Sequence, residues 1–222
     1  MRINKFLANA GVCSRRQADE LIKQKKVKIN DKIAILGDNI LESDSVFVNG
    51  KKIETQNRKI YLAFHKPVGV ICTADKSAKN NIIDYINYPE RIYPVGRLDV
   101  ATSGLIVLTN DGEIVNQILK GEHKIEKIYE VVVDKTIDEK FISKLESGLY
   151  IDGIKTKPAK IEKIKDKDFY ITIVEGKKRQ IRRMCEKCGY NVVKLKRIRV
   201  GKLELGNLKS GEYREIEKNE IL

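Results

Sequence analysis

The spacing of apolar residues changes character near residue 60. Ahead of that point the pattern predicts a short helix from Ile3 to Ala10, stopped at Gly11 as helix ends often are. A second helix begins at Ser14, whose hydroxyl and the Gln17 three residues on have the form of a capping box. Its apolar face is Ala18, Leu21 and Ile22, which leaves Arg15, Arg16, Lys23, Lys25 and Lys26 facing outward. Val27, Ile29 and Ile33-Ala34-Ile35 supply short strands through Asn30-Asp31, and a last apolar stretch runs from Val46 to Ile53.

Thr55-Gln56-Asn57-Arg58-Lys59 is polar and stands before the apolar run Ile60-Tyr61-Leu62-Ala63-Phe64, so it reads as a linker between a unit at 1-55 and a unit at 60-222. Beyond it, strands are expected at 60-64, 69-73, 104-109, 125-134, 157-163, 168-174 and 191-199, and helices at 112-120, 137-147 and 178-188. Strand candidates follow one another across turns with no regular strand-helix-strand alternation. That order predicts an α+β fold with a mixed, mainly antiparallel sheet.

Charge narrows the class of partner. The chain has 222 residues with 44 Lys+Arg against 31 Asp+Glu, a formal net charge of +13, and association with a polyanion is driven by counterion release. Ten Lys/Arg and two acids fall between Glu175 and Arg199, so much of the excess sits in one short region. The longest apolar runs are far short of the roughly 18 residues a membrane helix needs. Met1-Arg2-Ile3-Asn4-Lys5 leads into an amphipathic pattern, not a signal sequence, so cytoplasmic residence without membrane association is expected.

Two cysteines at Cys185 and Cys188 have a spacing used in zinc binding and redox exchange. The only histidines, His65 and His123, do not supply a second ligand pair. Ile181, Met184, Cys185 and Cys188 follow the i, i+3, i+4, i+7 stripe of an amphipathic helix, so buried reduced thiols are expected and no metal site.

The segment Gly96-Arg97-Leu98-Asp99-Val100-Ala101-Thr102-Ser103-Gly104-Leu105 sets one carboxylate among small and turn-forming residues just ahead of an apolar strand. An isolated Asp there caps a turn; a strand end is also where a scaffold can present a reactive side chain. The wider context decides between them. This segment, with Ile106 to Gly112, resembles the catalytic motif of the pseudouridine synthases, specifically the RsuA-type ribosomal RNA enzymes. His65-Lys66-Pro67-Val68-Gly69-Val70-Ile71-Cys72-Thr73, Lys127-Ile128-Tyr129 and Glu175-Gly176-Lys177-Lys178-Arg179-Gln180-Ile181-Arg182-Arg183-Met184 resemble that family's other motifs, in family order. His65 departs from the family, where Asn is more usual. The first 53 or so residues resemble the S4 RNA-binding domain, with its αL-type architecture and basic face. Within the family the RluF branch is the nearest, on Asn81 to Asn87, Arg91 to Gly96 and Met184 to Tyr190.

The resemblance implies Asp99 as the catalytic carboxylate, acting as nucleophile or base at the ribose. It implies Arg182 as its ion-pair partner and Tyr129 as the aromatic against the uracil. Arg97, Arg179 and Arg183, with the basic residues Arg15, Arg16, Lys23, Lys25 and Lys26, are implied RNA contacts. Pseudouridine formation breaks the bond between C1′ and uracil N1 and rejoins the base through C5. It is an isomerisation, so no cofactor and no metal are expected, in keeping with the absence of a phosphate-binding or dinucleotide loop. The implied partner is ribosomal RNA, most directly 23S, or a subunit assembly intermediate, met by a monomer. A chain ending at Leu222 is not expected to recognise RNA through a long C-terminal tail. Three other readings stay open: an RsuA- or RluB-type enzyme acting at another site, an S4 RNA-binding protein without catalysis, and an N-glycosidase releasing free base.

Overall fold

The computed structural model describes residues 1–54, 58–75, 77–119 and 125–222. The chain divides into two compact units: Met1–Lys59 with Pro89–Arg91 and Asn110–Gly112, and Ile60–Tyr88 with Ile92–Thr109 and Glu113–Leu222. Residues 55–57 of the expected linker, and Lys120 at the end of the helix expected over 112-120, lie outside the described residues.

The first unit holds α1 (Ile3–Asn9), α2 (Arg15–Lys23), β1 (Val27–Ile29), β2 (Lys32–Ile33), β3 (Val46–Val48) and β4 (Lys51–Lys52). The strands form an antiparallel sheet in the order β2-β1-β3-β4. Ile3, Leu7, Ala18, Ile22, Val27 and Val46 fill its core. The capping box forms as the sequence predicts: Gln17 N donates to Ser14 Oγ (3.2 Å) and Ser14 N donates to Gln17 Oε1 (2.9 Å). The strand expected at 33-35 ends at Ile33. Helix α2 also stops earlier than its basic residues suggest. Lys25 takes the left-handed conformation (φ 57°), and Lys25 N and Lys26 N donate to Ile22 O (2.9 Å) and Leu21 O (3.0 Å). That is a Schellman closure, so Lys25 and Lys26 stand on the turn after the helix.

The second unit contains, in order, β5 (Tyr61–Lys66), α3 (Ile82–Ile86), β6 (Tyr93–Pro94), β7 (Ser103–Thr109), α4 (Gly112–Leu119), β8 (Lys127–Val133), α5 (Glu139–Ser147), β9 (Tyr150–Ile151), β10 (Ile154–Lys155), β11 (Lys160–Lys163), β12 (Asp168–Ile173), α6 (Gln180–Lys187), β13 (Val192–Val200), β14 (Leu203–Glu204) and β15 (Tyr213–Glu215). Among the described residues its main sheet runs β11-β12-β8-β13-β7-β5-β15, with β14 on β13 and β6 on β7. Every pairing is antiparallel except β13 with β7, so the expected mixed, mainly antiparallel α+β architecture is found. The sheet is covered on both faces. Leu62 and Phe64 of β5 and Ile106 and Leu108 of β7 join one core cluster, while Tyr61, Ala63, Leu105 and Val107 join the other. That is why these strands read as unbroken apolar runs.

The strand expected at 69-73 is absent. Gly69 turns the chain at φ 93°, and only an isolated bridge, Ile71 to Asn81, remains. Helix α6 starts at Gln180, later than expected, because Arg179 is left-handed (φ 53°). No described helix is long and apolar enough to cross a membrane.

One close approach holds the centre of the sheet. Gly104 has φ +110°, and a Cβ there would overlap the carbonyl oxygen of Arg197 and come within 2.5 Å of its amide nitrogen. Gly104→Ala is therefore expected to cost roughly 2–4 kcal/mol through strain and overpacking. Thermal unfolding checks it; a melting temperature unchanged within a degree would show that the two strands are not in this contact.

Candidate active site

The acid loop leads into β7 and is tied down residue by residue. Leu98 N donates to Cys72 Sγ (3.3 Å), Thr102 N donates to Asp99 O (2.9 Å), and Gly69 N donates to Val100 O (2.9 Å). Arg182 Nη2 donates to Ala101 O (2.8 Å). Four consecutive residues are thus fixed, Asp99 within the loop itself and the other three from different parts of the unit, and the half-buried Asp99 side chain is carried by a backbone with little freedom to move. The Thr102 hydroxyl, three residues on, is buried with no partner among the described residues, a polar group that a bound ligand can satisfy.

Asp99 and Tyr129 both line a cleft of about 910 Å³. Tyr129 reaches it from β8 and is buried. Arg97 and Arg179 line the same cleft, Arg97 exposed and Arg179 paired to Glu186 (3.6 Å). Arg183 is not in its wall; it pairs with Asp152 on the turn of the β9-β10 hairpin.

Arg182 corrects the expected ion pair. It is buried on α6, and its guanidinium divides between Val192 O (Nη1, 3.0 Å) and Ala101 O (2.8 Å), while Nε has no partner among the described residues. No ion pair joins it to Asp99; its hydrogen bonds go to the two carbonyls, one of them in the acid loop. Burial and the neighbouring Arg179 pull its pKa down, and the Asp99 charge is among those that oppose the shift. Arg182 thus holds the backbone two residues beyond the acid, within range of its charge.

The motif around α6 is itself a folded clasp. Lys177 N donates to Gln180 Oε1 (2.9 Å), Gln180 Nε2 donates to Glu175 Oε1 (2.8 Å), and that same oxygen accepts from Lys157 N (3.0 Å). Cys185 is buried and burial pushes its thiol up to about 12, while Cys188 is half-buried and also raised by burial. Both are free thiols without thiolate character, as their stripe predicts.

Three cations escaped the sequence reading. Lys66 is fully buried and its Nζ donates to Pro67 O (2.7 Å) and Val70 O (2.9 Å). Burial holds its ammonium below the usual lysine range, opposed by Cys72 and Asp99. Lys127 and Arg197 line the cleft beside Tyr129. Lys66 and Lys127 lie inside two of the quoted motifs, so a signal was present; Arg197, one cation in a basic strand, stood out only by position.

In the first unit Arg15, Arg16, Lys23, Lys25 and Lys26 are all exposed, with Lys23 paired to Glu20 (2.7 Å). Arg15 and Lys23 also line a shallow cleft of about 510 Å³ with Arg2, Asn4 and Asp38.

One cleft thus gathers a carboxylate on a fixed loop at a strand end, an aromatic and several cations, and the comparisons with known proteins say what kind of enzyme carries it. Residues 60–187 match the model of the RNA pseudouridylate synthase family, and residues 1–46 match the S4 domain. The chain belongs to the RNA pseudouridylate synthase family. It is 42% identical to the dual-specificity RNA pseudouridine synthase RluF of Escherichia coli K12, over 100% of this chain and 77% of that protein. It is also 42% identical to the ribosomal large subunit pseudouridine synthase B of Bacillus subtilis, over 99% of this chain and 93% of the relative. A crystal structure of a pseudouridylate synthase superposes with a TM-score of 0.73 at 33% identity, covering 100% of this chain and 98% of that one.

Proposed function

We propose that this protein isomerises a specific uridine of ribosomal RNA to pseudouridine, with Asp99 as the group that acts on the ribose, Tyr129 as the surface against the uracil and Arg182 as the residue that positions the acid loop. The fixation of four consecutive loop residues around Asp99, at the edge of a cleft that Tyr129 also lines, carries this reading. A catalytic carboxylate has to meet C1′ in a defined geometry, and preorganisation of the loop supplies that before RNA arrives.

A uridine within structured RNA has to leave its stack to reach such a cleft. Extrusion costs a few kcal/mol, which an aromatic face and a basic surround help to offset. Once N1 and C1′ separate, the base turns and C5 bonds to C1′; the C5 proton leaves and N1 regains one. Nothing is consumed, so no cofactor enters the proposal. Large-subunit RNA is favoured by the name of the Bacillus relative, and the name of the Escherichia relative leaves room for a second RNA substrate. The protein acts as a monomer in the cytoplasm, on 23S ribosomal RNA or a subunit assembly intermediate.

The mapping experiment is pseudouridine sequencing of ribosomal RNA from cells with and without the gene. One position, or a few, is expected to lose its pseudouridine; an unchanged map contradicts the proposal.

In this reading the two units divide the work, with residues 1-55 holding RNA and 60-222 carrying the chemistry. Deleting residues 1-55 leaves ~167 residues, enough for an independent core. The truncated protein is expected to bind RNA more weakly with a shallower salt dependence, each lost phosphate contact lowering the slope of log K against log salt by roughly one. Single-turnover isomerisation at saturating RNA is expected to fall less than affinity does. A salt titration checks this; an unchanged slope would show that the first unit does not hold the RNA.

A further inference from the structure

Of the cations that line the main cleft, Lys127 and Arg197 are the two that stand on the strands beside Tyr129, and the proposed chemistry uses neither. Lys127 and Arg197 come from neighbouring antiparallel strands, with Arg197 directly opposite Tyr129 and Lys127 two residues before Tyr129 on the same strand. A register shift between Arg197 and Arg199 interrupts the pairing here. Such a bulge re-aims side chains, and its outcome is visible: Leu195, Arg197 and Val200 line the cleft, while Arg199 turns away to pair with Glu126 (3.3 Å).

Neither cation has an acidic partner among the described residues. Arg197 is 5% exposed; its Nε donates to Leu105 O (2.7 Å), which fixes the guanidinium plane and leaves its two terminal nitrogens without a hydrogen bond among the described residues. Among the described residues Lys127 Nζ donates to Ile125 O (3.0 Å) and to no other group. Burial, and then the Arg197 charge, hold the Lys127 ammonium below its usual range, so each cation lies in the field of the other. Two like charges partly withdrawn from water, without a carboxylate between them, form a site that is completed by an anion. A guanidinium with a fixed plane and a free edge suits a phosphate, and the ammonium adds a point charge.

Building on the proposed function, we propose that Lys127 and Arg197 form a seat for one phosphodiester of the RNA strand, the phosphate flanking the uridine whose base lies against Tyr129. Arg197 and Tyr129 are directly opposite across antiparallel strands, where Cβ atoms are about 5 Å apart, so a phosphate on one and a base on the other belong to the same short stretch of strand. The seat therefore sets the register of the strand: with the phosphate held, C1′ of the adjoining nucleotide is brought to the Asp99 side of the cleft. Of the other lining cations, Lys177 pairs with Glu175, while Arg97, Lys178 and Arg179 are exposed and suit the strand on its way in.

The test uses a synthetic RNA hairpin carrying the uridine that the full-length protein isomerises. In two further hairpins the 5′ or the 3′ flanking phosphate is replaced by a neutral methylphosphonate. With the unsubstituted protein, one of the two replacements is expected to raise Kd about tenfold, the scale of a lost charge-assisted contact. Against Lys127→Gln, and separately against Arg197→Lys, the same replacement is expected to raise Kd less than threefold, because part of the contact is already gone. A structural defect in either variant would weaken all three hairpins alike and leave that ratio at its original value. Equal losses in the unsubstituted protein and both variants, or no loss from either methylphosphonate, overturn the seat while the isomerisation itself still stands. If no hairpin is isomerised at all, the proposed function fails and the seat falls with it.

Discussion

Asp99→Asn is expected to lower single-turnover isomerisation by at least about 100-fold, the lower bound usually found for removal of a group that acts in the transition state. The amide keeps the shape of the carboxylate but gives up its charge and its nucleophilic oxygen, so neither action at the ribose survives. RNA affinity is expected to change little. The loop is held through Leu98 N, Asp99 O, Val100 O and Ala101 O, none of which involves the Asp99 side chain. Rapid-quench assays at saturating RNA, paired with a binding titration, read the two quantities separately. A rate within tenfold of the unsubstituted protein would remove Asp99 from the chemistry.

The second large effect is expected at Arg182. Arg182→Ala deletes donors to two carbonyls on separate segments, Ala101 O and Val192 O, at a site that is 8% exposed. Hydrogen bonds from charged donors contribute about 1.5–3 kcal/mol each, so a loss of roughly 2–4 kcal/mol in stability is expected after partial relaxation. Activity is expected to fall more than tenfold, because a displacement of about 1 Å at the acid can cost 100-fold. Arg182→Lys separates the two ways Arg182 acts. It retains the positive field but cannot span both carbonyls, so it is expected to remain well below the unsubstituted rate under conditions where it is folded. Full activity in Arg182→Lys would show that charge alone matters and that fixation of the loop does not.

What the sequence made legible, and what it hid, follows from the range of the interactions. The capping box at Ser14 and Gln17 is contained in four residues and forms as read. The buried strands β5 and β7 announce themselves by unbroken apolar runs because both faces of the sheet are covered. The stripe through Ile181, Cys185 and Cys188 was legible from its helical spacing: Ile181 and Cys185 are buried, and Cys188 is half-buried. By contrast, residues 69-73 have strand-like composition, but the left-handed turn at Gly69 takes them out of the ladder. Helix α3 is five residues long, too short for helical periodicity to show, and depends on Asn81 capping Asp84 N (2.8 Å).

The same distinction holds at the site. Asp99, Tyr129 and Arg182 were legible as members of motifs, yet the partner of Arg182 was not. Its hydrogen bond to Ala101 O spans 81 residues of sequence, and no local pattern says that a carbonyl will take the place of a carboxylate. Arg197 is hidden for a similar reason. It differs from the other basic residues of its strand only through a register shift and the donation to Leu105 O, 92 residues away in sequence.

The central claim is that this chain moves a uracil from one glycosidic attachment to another without releasing it. The most direct measurement is nucleoside chromatography of ribosomal RNA incubated with the purified protein, alongside assay of the supernatant for free uracil. The account predicts pseudouridine in the RNA, stoichiometric with the uridine lost, and no free base. Free uracil with an abasic site in the RNA, or RNA left unaltered by active, folded protein, would contradict it.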